Sequence, residues 1–291
     1  MSTPPPLFKR LKRRLSQGVL LALLSPGFAQ AAENYLSPLR EPGSQQHLQL
    51  LQAQQDANRQ KAQNLQGKRI WFAGFGLHSG SNAFRGDVLL TQKRLQELYP
   101  DLISYTFDNQ KQTQQLLAPF ASFASIDQTV SEISQQVRDD DVVVILLSDH
   151  GHKHMISVEI ADQKFGPVFS VHLQTALAPL KKTKTLLLLS ACHSGSFIEQ
   201  LKSPKRIIVT ASSAENVSYG CQPLANNTFF IDAMFAQALD PDHTVQVLFD
   251  ATKSRISRRE FDEKLKSSEP QIYIGEEMRE FAQRSWRDWL K

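Results

Sequence analysis

Two stretches of this chain end a run of apolar residues on a reactive side chain followed by glycine. The first is Val142-Val143-Val144-Ile145-Leu146-Leu147-Ser148-Asp149-His150-Gly151. The second is Leu186-Leu187-Leu188-Leu189-Ser190-Ala191-Cys192-His193-Ser194-Gly195. A thiol attacks as its thiolate, and an imidazole within reach takes the proton. Cys192 and His150 are thus the minimum equipment of a cysteine hydrolase, if the fold brings them together. Cys192 stands where a strand should turn into a helix near Phe197, so N–H groups of that turn, with that of Gly151, could form an oxyanion hole. Gly151 and Gly195 permit close backbone approach to a substrate.

Other chemistry competes for the same residues. His150, His152 and His154 alternate after a strand, a spacing that can bind zinc. A zinc hydrolase would still need a carboxylate and distant histidines, for which His172 and His243 offer no distinctive context. His152 and His154 otherwise belong to a solvated loop. Cys192 and Cys221 are the only cysteines, and a disulfide between them would make the site inert. Gly74-Phe75-Gly76-Leu77-His78-Ser79-Gly80-Ser81-Asn82 resembles a phosphate-cradling loop only loosely, since it lacks both G-x-G-x-x-G and a P-loop lysine.

Apolar runs of this length bounded by polar residues are strands buried on both faces. Strands are expected at 68–73, 102–107 and 206–211 besides the two above, and a short one at 271–274. Helices are expected over 87–98, 112–123, 126–137, 171–180 and 228–239, with a hairpin in 156–169 and a mostly helical tail from 245 to 290. Residues 47–67 are Gln-rich and predict a polar, exposed helix. Strands alternating with helices imply an α/β fold, a parallel sheet covered on both faces. Active sites in such sheets lie at the carboxyl ends of the strands, where His150 and Cys192 stand.

The N-terminus predicts export. Lys9, Arg10, Lys12, Arg13 and Arg14 precede an apolar stretch that closes on Ala29-Gln30-Ala31. That is the pattern of a secretory signal over residues 1–31. The apolar part contains Pro26 and is short for a membrane span, so no stable span is expected after cleavage; an uncleaved N-terminal anchor is the alternative. The chain carries +4, and losing those five cations with no acid leaves −1, so nothing supports nucleic-acid binding. The expected organisation is a signal at 1–31, a linker and polar helix at 32–67, a catalytic domain at 68–240 and a helical extension at 241–291.

His150-Gly151 and Ala191-Cys192-His193-Ser194-Gly195, 42 residues apart between the reactive pair, resemble the legumain-like cysteine peptidases, family C13 of the caspase-like clan. The likeness is to bacterial, exported members. Thr210-Ala211-Ser212-Ser213-Ala214, Ser218-Tyr219-Gly220-Cys221, Thr228-Phe229-Phe230-Ile231-Asp232 and Asn82-Ala83-Phe84-Arg85 are similar to further family segments. The resemblance implies a caspase-like three-layer α/β/α sandwich with a mostly parallel sheet. It implies Cys192 as nucleophile, His150 as proton donor or acceptor, and the N–H groups of Gly151 and Cys192 as oxyanion donors. Arg85, Ser190, Ser218 and Asp232 would be candidates for the S1 pocket, and Cys221 would be a structural position. Legumains carry a glutamate where this chain has Ser190, so their asparagine preference does not carry over. Without the resemblance, Asp232 is a helix-capping or solvated carboxylate and Arg85 a surface ion pair.

The function expected is an exported, periplasmic or secreted cysteine endopeptidase that acts on protein or peptide substrates through a thioester. No cofactor or metal is needed. The alternatives are a transpeptidase using the same pair of residues, a non-catalytic caspase-like binding module, or a zinc hydrolase.

Overall fold

A computed structural model describes residues 44–109 and 116–291. The signal expected at 1–31, the start of the expected linker and residues 110–115 lie outside the described residues. In chain order the elements are α1 (Ser44–Asn64), β1 (Ile70–Gly76), α2 (Asn82–Leu98), β2 (Ile103–Asp108), α3 (Phe123–Ser134) and β3 (Val142–Ser148). Short strands β4 (Gly151–His152), β5 (Met155–Ile156), β6 (Glu159–Ile160), β7 (Gln163–Lys164) and β8 (Val168–Phe169) follow, then α4 (Ser170–Ala176). The chain continues through β9 (Lys184–Ser190), α5 (Ile198–Leu201), β10 (Arg206–Thr210), α6 (Phe229–Ile231), α7 (Val245–Asp262), β11 (Gln271–Ile274) and α8 (Arg279–Ala282).

The main sheet has the order β2-β1-β3-β9-β10-β11. All neighbours are parallel except β11, which runs antiparallel to β10. Alternate residues of each strand feed opposite cores, which is why the runs read as uninterrupted apolar sequence. Trp71, Phe75, Val143, Ile145, Leu187 and Leu189 face one core, with Ile126 and Val130 of α3 and Leu173 of α4. Phe72, Val144, Leu146, Leu186, Leu188 and Val209 face the other, with Val88 and Leu95 of α2, Phe235, and Leu248 of α7. The molecule is a three-layer α/β/α sandwich. The segment after residue 240 supplies β11 to the sheet and Trp286 and Trp289 to the second core.

The Gln-rich helix departs from expectation. It is not simply exposed, because α1 lies along the edge strand β2 and its amides pair with backbone. Gln54 Nε2 donates to Thr106 O at 3.1 Å, Thr106 N–H donates to Gln54 Oε1 at 2.8 Å, and Asn58 Nδ2 donates to Ser104 O at 2.8 Å. Polar amides satisfy an open strand edge, which apolar residues could not do. The helix expected over 112–123 is also corrected: the described part, 116–122, is not helical. Pro119 lacks the N–H a helix needs, and Ser122 caps α3 by accepting the Ser125 N–H. Residues 228–239 form α6 and then a π-helical stretch, Asp232–Ala238, rather than one regular helix.

Candidate active site

Ser148 and Ser190 are register partners at the ends of β3 and β9. The two chains leave the sheet in step, with the Asp149 N–H donating to Ser190 O at 3.1 Å. His150 and Cys192 each lie two residues past the paired serines, so one register delivers both to the same level of the carboxyl edge. The two turns touch. A Cβ on Gly151 would lie 2.4 Å from the Cys192 carbonyl oxygen and 3.0 Å from Ala191 Cβ, so the contact requires glycine.

The loop after β10 holds the thiol. Ser218 presents its N–H to Cys192 Sγ at 3.3 Å and its carbonyl oxygen at 3.5 Å, with its hydroxyl at 3.8 Å. His193 turns back in the left-handed conformation, φ 56°, into a 3-10 turn, Ser194–Phe197, ahead of α5. The expected helix N-terminus aimed at Cys192 is not formed. The N–H groups of His193, Ser194, Gly195 and Ser196 donate to Asn216 O, Ser212 Oγ, Ser212 O and His193 O. The first three anchor the turn to the neighbouring loop instead, and the fourth closes the turn on itself. A Cβ on Gly195 would lie 2.7 Å from Ala214 N, so this glycine serves packing against that loop.

The His150 ring sits edge-on to His78 at 4.8 Å and to Phe84 at 5.0 Å between centroids. Burial, and then the neighbouring His78, lower its pKa below the ordinary histidine range, with the Glu159 carboxylate opposing. A neutral imidazole at pH 7 can accept a thiol proton. His78 is likewise lowered by burial against an opposing Glu159. Its Nδ1 accepts the Gly80 N–H at 2.9 Å and lies 3.5 Å from Glu159 Oε1. A nitrogen that accepts an N–H carries no proton, so that contact is no ion pair while the bond stands. Asp149 is buried, with Oδ1 taking the His150 N–H and the Ser157 hydroxyl. Its other oxygen meets no donor among the described residues, and burial raises its pKa well above the carboxylate range.

The S1 candidates are placed differently from one another. Ser218 lies against the sulfur. Ser190 is buried below it, with its hydroxyl 3.1 Å from Asp87 and 2.8 Å from the Thr228 hydroxyl. Arg85 is 3.4 Å from Asp108 in an ion pair. Asp232 accepts from Gln237 Nε2 at 2.6 Å and lies 3.8 Å from Arg259, whose guanidinium covers the Phe229 ring at 3.5 Å. A hollow of about 230 Å³ is lined by Gly220, Asn226, Asn227, Phe229, Asp232 and Arg259, on the loop that runs on from Ser218.

Cys192 and Cys221 are both free thiols, not a disulfide. Burial, then the nearby Cys192, raise the Cys221 pKa. Among the described residues no three metal-ligating side chains converge, and His152 instead stacks on His193 at 6.4 Å. The glycines after Trp71 also have a packing role. A Cβ on Gly74 would meet Val88 Cγ1 at 2.9 Å and one on Gly76 would meet Phe84 O at 2.9 Å, so both let α2 close on β1.

Asp87, His78, Phe84 and Glu159 all bear on the site and none was singled out from sequence. Asp87 had a signal. It falls on the apolar stripe of α2 with Phe84, Val88, Thr91 and Leu95, where a carboxylate is out of place.

No curated protein matches the chain significantly. Among solved structures the chain is similar to the crystal structure of caspase-1 from Spodoptera frugiperda, with 14% identity and a TM-score of 0.47 over 72% of this chain and 86% of that one. The model of the peptidase C13 family matches residues 78–280, a span that holds both His150 and Cys192. The chain belongs to the legumain-like peptidase C13 family, and at the level of that family it is a cysteine peptidase.

Proposed function

We propose that the chain is an endopeptidase working through a Cys192–His150 dyad. The observation that carries this is the register: Ser148 opposite Ser190 brings a half-buried thiol and a neutral imidazole to one edge, with their turns in contact through Gly151. His150 takes the thiol proton as sulfur attacks the scissile carbonyl carbon. The carbonyl oxygen gains the electron pair and is held by the N–H groups of Gly151 and Cys192. Collapse expels the amine, which receives the proton from the imidazolium and leaves a thioester on Cys192. Water, deprotonated by His150, then releases the acid and restores the thiol. An amine in place of water would give transpeptidation by the same route.

The substrates are proteins or peptides. Ser218, beside the sulfur, and Asp232, in the lining of the hollow, are the groups taken to read the P1 side chain, with Arg85 in the first turn of α2. The segment 1–31 directs export by a cleaved signal. Among the described residues no helix is long and apolar enough to cross a membrane. Export is checked by the N-terminal mass of protein recovered from the producing cell, expected to begin after Ala31; an intact Met1 terminus refutes cleavage.

The test of the reaction is intact mass after treatment with a panel of peptidyl acyloxymethyl ketones that differ at P1. One adduct is expected on the wild type, with none on Cys192→Ala and a much slower one on His150→Ala. Peptide cleavage retained by Cys192→Ala would overturn the mechanism.

A further inference from the structure

Asp87 is the most unusual charge-bearing residue near this site. It is fully buried, in α2, beneath the carboxyl ends of β3 and β9. Its Oδ2 meets the hydroxyls of Ser148 at 2.7 Å, Thr228 at 2.8 Å and Ser190 at 3.1 Å. Its Oδ1 accepts the Thr228 N–H at 2.9 Å and an Asn227 amide hydrogen at 3.4 Å. All these donors are neutral. Two of them are the register partners that stand two residues before His150 and Cys192. The others end the loop whose beginning, Ser218, touches the Cys192 sulfur, and Thr228 then caps α6. One carboxylate thus joins the histidine strand, the cysteine strand and the thiol-holding loop.

We infer that Asp87 is a positioning residue, whose carboxyl group fixes the spacing of His150, Cys192 and the Ser218 loop without touching substrate. This deepens the dyad reading and rests on it. The hydroxyl contacts are consistent with a neutral acid. Ser190 and Thr228 also meet each other at 2.8 Å, so three hydroxyl protons face four oxygen–oxygen contacts, and below the Asp87 pKa a protonated Oδ2 supplies the missing one. Burial, partly offset by these hydrogen bonds, raises the Asp87 pKa to about 6. At pH 7 the group is then mostly ionised, and what it contributes on either side of its pKa is the geometry of its ties to the three segments. Asparagine at 87 keeps an acceptor for the Thr228 N–H and offers two protons to the hydroxyls, whereas alanine keeps neither.

The experiment is alkylation of Cys192 by iodoacetamide, read by the mass of its tryptic peptide from pH 5 to 9. Wild type, Asp87→Ala and Asp87→Asn are compared alongside circular dichroism and thermal melts. Wild type is expected to react faster near neutral pH than an unassisted thiol. Folded Asp87→Ala is expected to lose about 10- to 100-fold at pH 7 and to take the profile of an unassisted thiol. Asp87→Asn is expected to restore the wild-type rate. Wild-type reactivity in folded Asp87→Ala overturns the proposal, as does Asp87→Asn reacting as slowly as Asp87→Ala, which would make charge the active property. If Asp87→Ala does not fold, Ser148→Ala and Ser190→Ala each cut one tie and must each slow alkylation; wild-type rates in both overturn the proposal. An unassisted profile in the wild type itself refutes the dyad, before any variant is compared.

Discussion

Replacing Asp87 by asparagine isolates the cost of burying its charge. The folded pKa of about 6 lies above the ordinary 3.8, because burial outweighs the donated hydrogen bonds. A raised carboxylate pKa means the folded state holds its proton while the unfolded state has lost it. Stability from this group is therefore full below pH 3.8 and is lost as pH rises through 6. The difference of about 2 units corresponds to about 3 kcal/mol, of which about half falls between pH 5 and pH 8. Asparagine cannot ionise, so Asp87→Asn lacks this loss. Urea unfolding of both proteins at pH 5, 6, 7 and 8 should show wild type losing about 1.5 kcal/mol relative to Asp87→Asn across the range, and levelling above pH 7. Taking the difference between the two proteins cancels the other carboxylates. A difference that stays flat, or that moves in favour of wild type with rising pH, would refute the reasoning. It would mean that the donors around Asp87 stabilise its ionised form more than burial opposes it.

Gly151→Ala should retain the fold and lose about 100-fold in labelling by the peptidyl ketone, because its Cβ must push the Cys192 carbonyl away; near-wild-type labelling would show that the turns need not touch. Since burial lowers His150, the acid limb of the labelling rate should have its midpoint below pH 6.5, with activity present above it and lost as the imidazole protonates. A limb above that value would mean His150 is held charged. Asp141→Ala should cost about 3–5 kcal/mol in urea unfolding, because Asp141 accepts from Arg69 and from Trp71 Nε1, and its loss strands a buried guanidinium. A cost under about 1 kcal/mol would show that Arg69 finds water instead.

The place of Cys192 and His150 at two strand ends, the parallel character of the sheet and the family were legible in sequence because each has a local signature. An apolar run that ends on His-Gly or Cys-x-Ser-Gly states both a buried strand and its carboxyl end. The short strand at β11 was legible too, from the β-branched and aromatic residues of Gln271–Ile274. Less legible were elements whose role depends on a distant partner. The glutamines and asparagine of α1 look like solvent-facing residues until β2 lies beside them with open backbone groups. The turn after Cys192 looked like a helix start, but its N–H groups are drawn to Ser212 and Asn216 across the loop.

Composition and pattern by themselves determined an α/β chain with a thiol and an imidazole at two strand ends. Those are properties of consecutive residues, and the period of the chain carries them. That the two ends share a level was decided by the pairing of β3 with β9, and no spacing along the chain encodes a register between strands so far apart. The surroundings of the pair were decided the same way. His78, Phe84 and Ser218 reach His150 or Cys192, and Asp87 reaches the serines beneath them, from three separate segments, and only the packing of α2 and the Ser218–Thr228 loop on the sheet edge brings them there. Burial at that edge then sets which groups hold a proton, since the free energy of a charge depends on the surrounding dielectric and donors rather than on its neighbours in sequence.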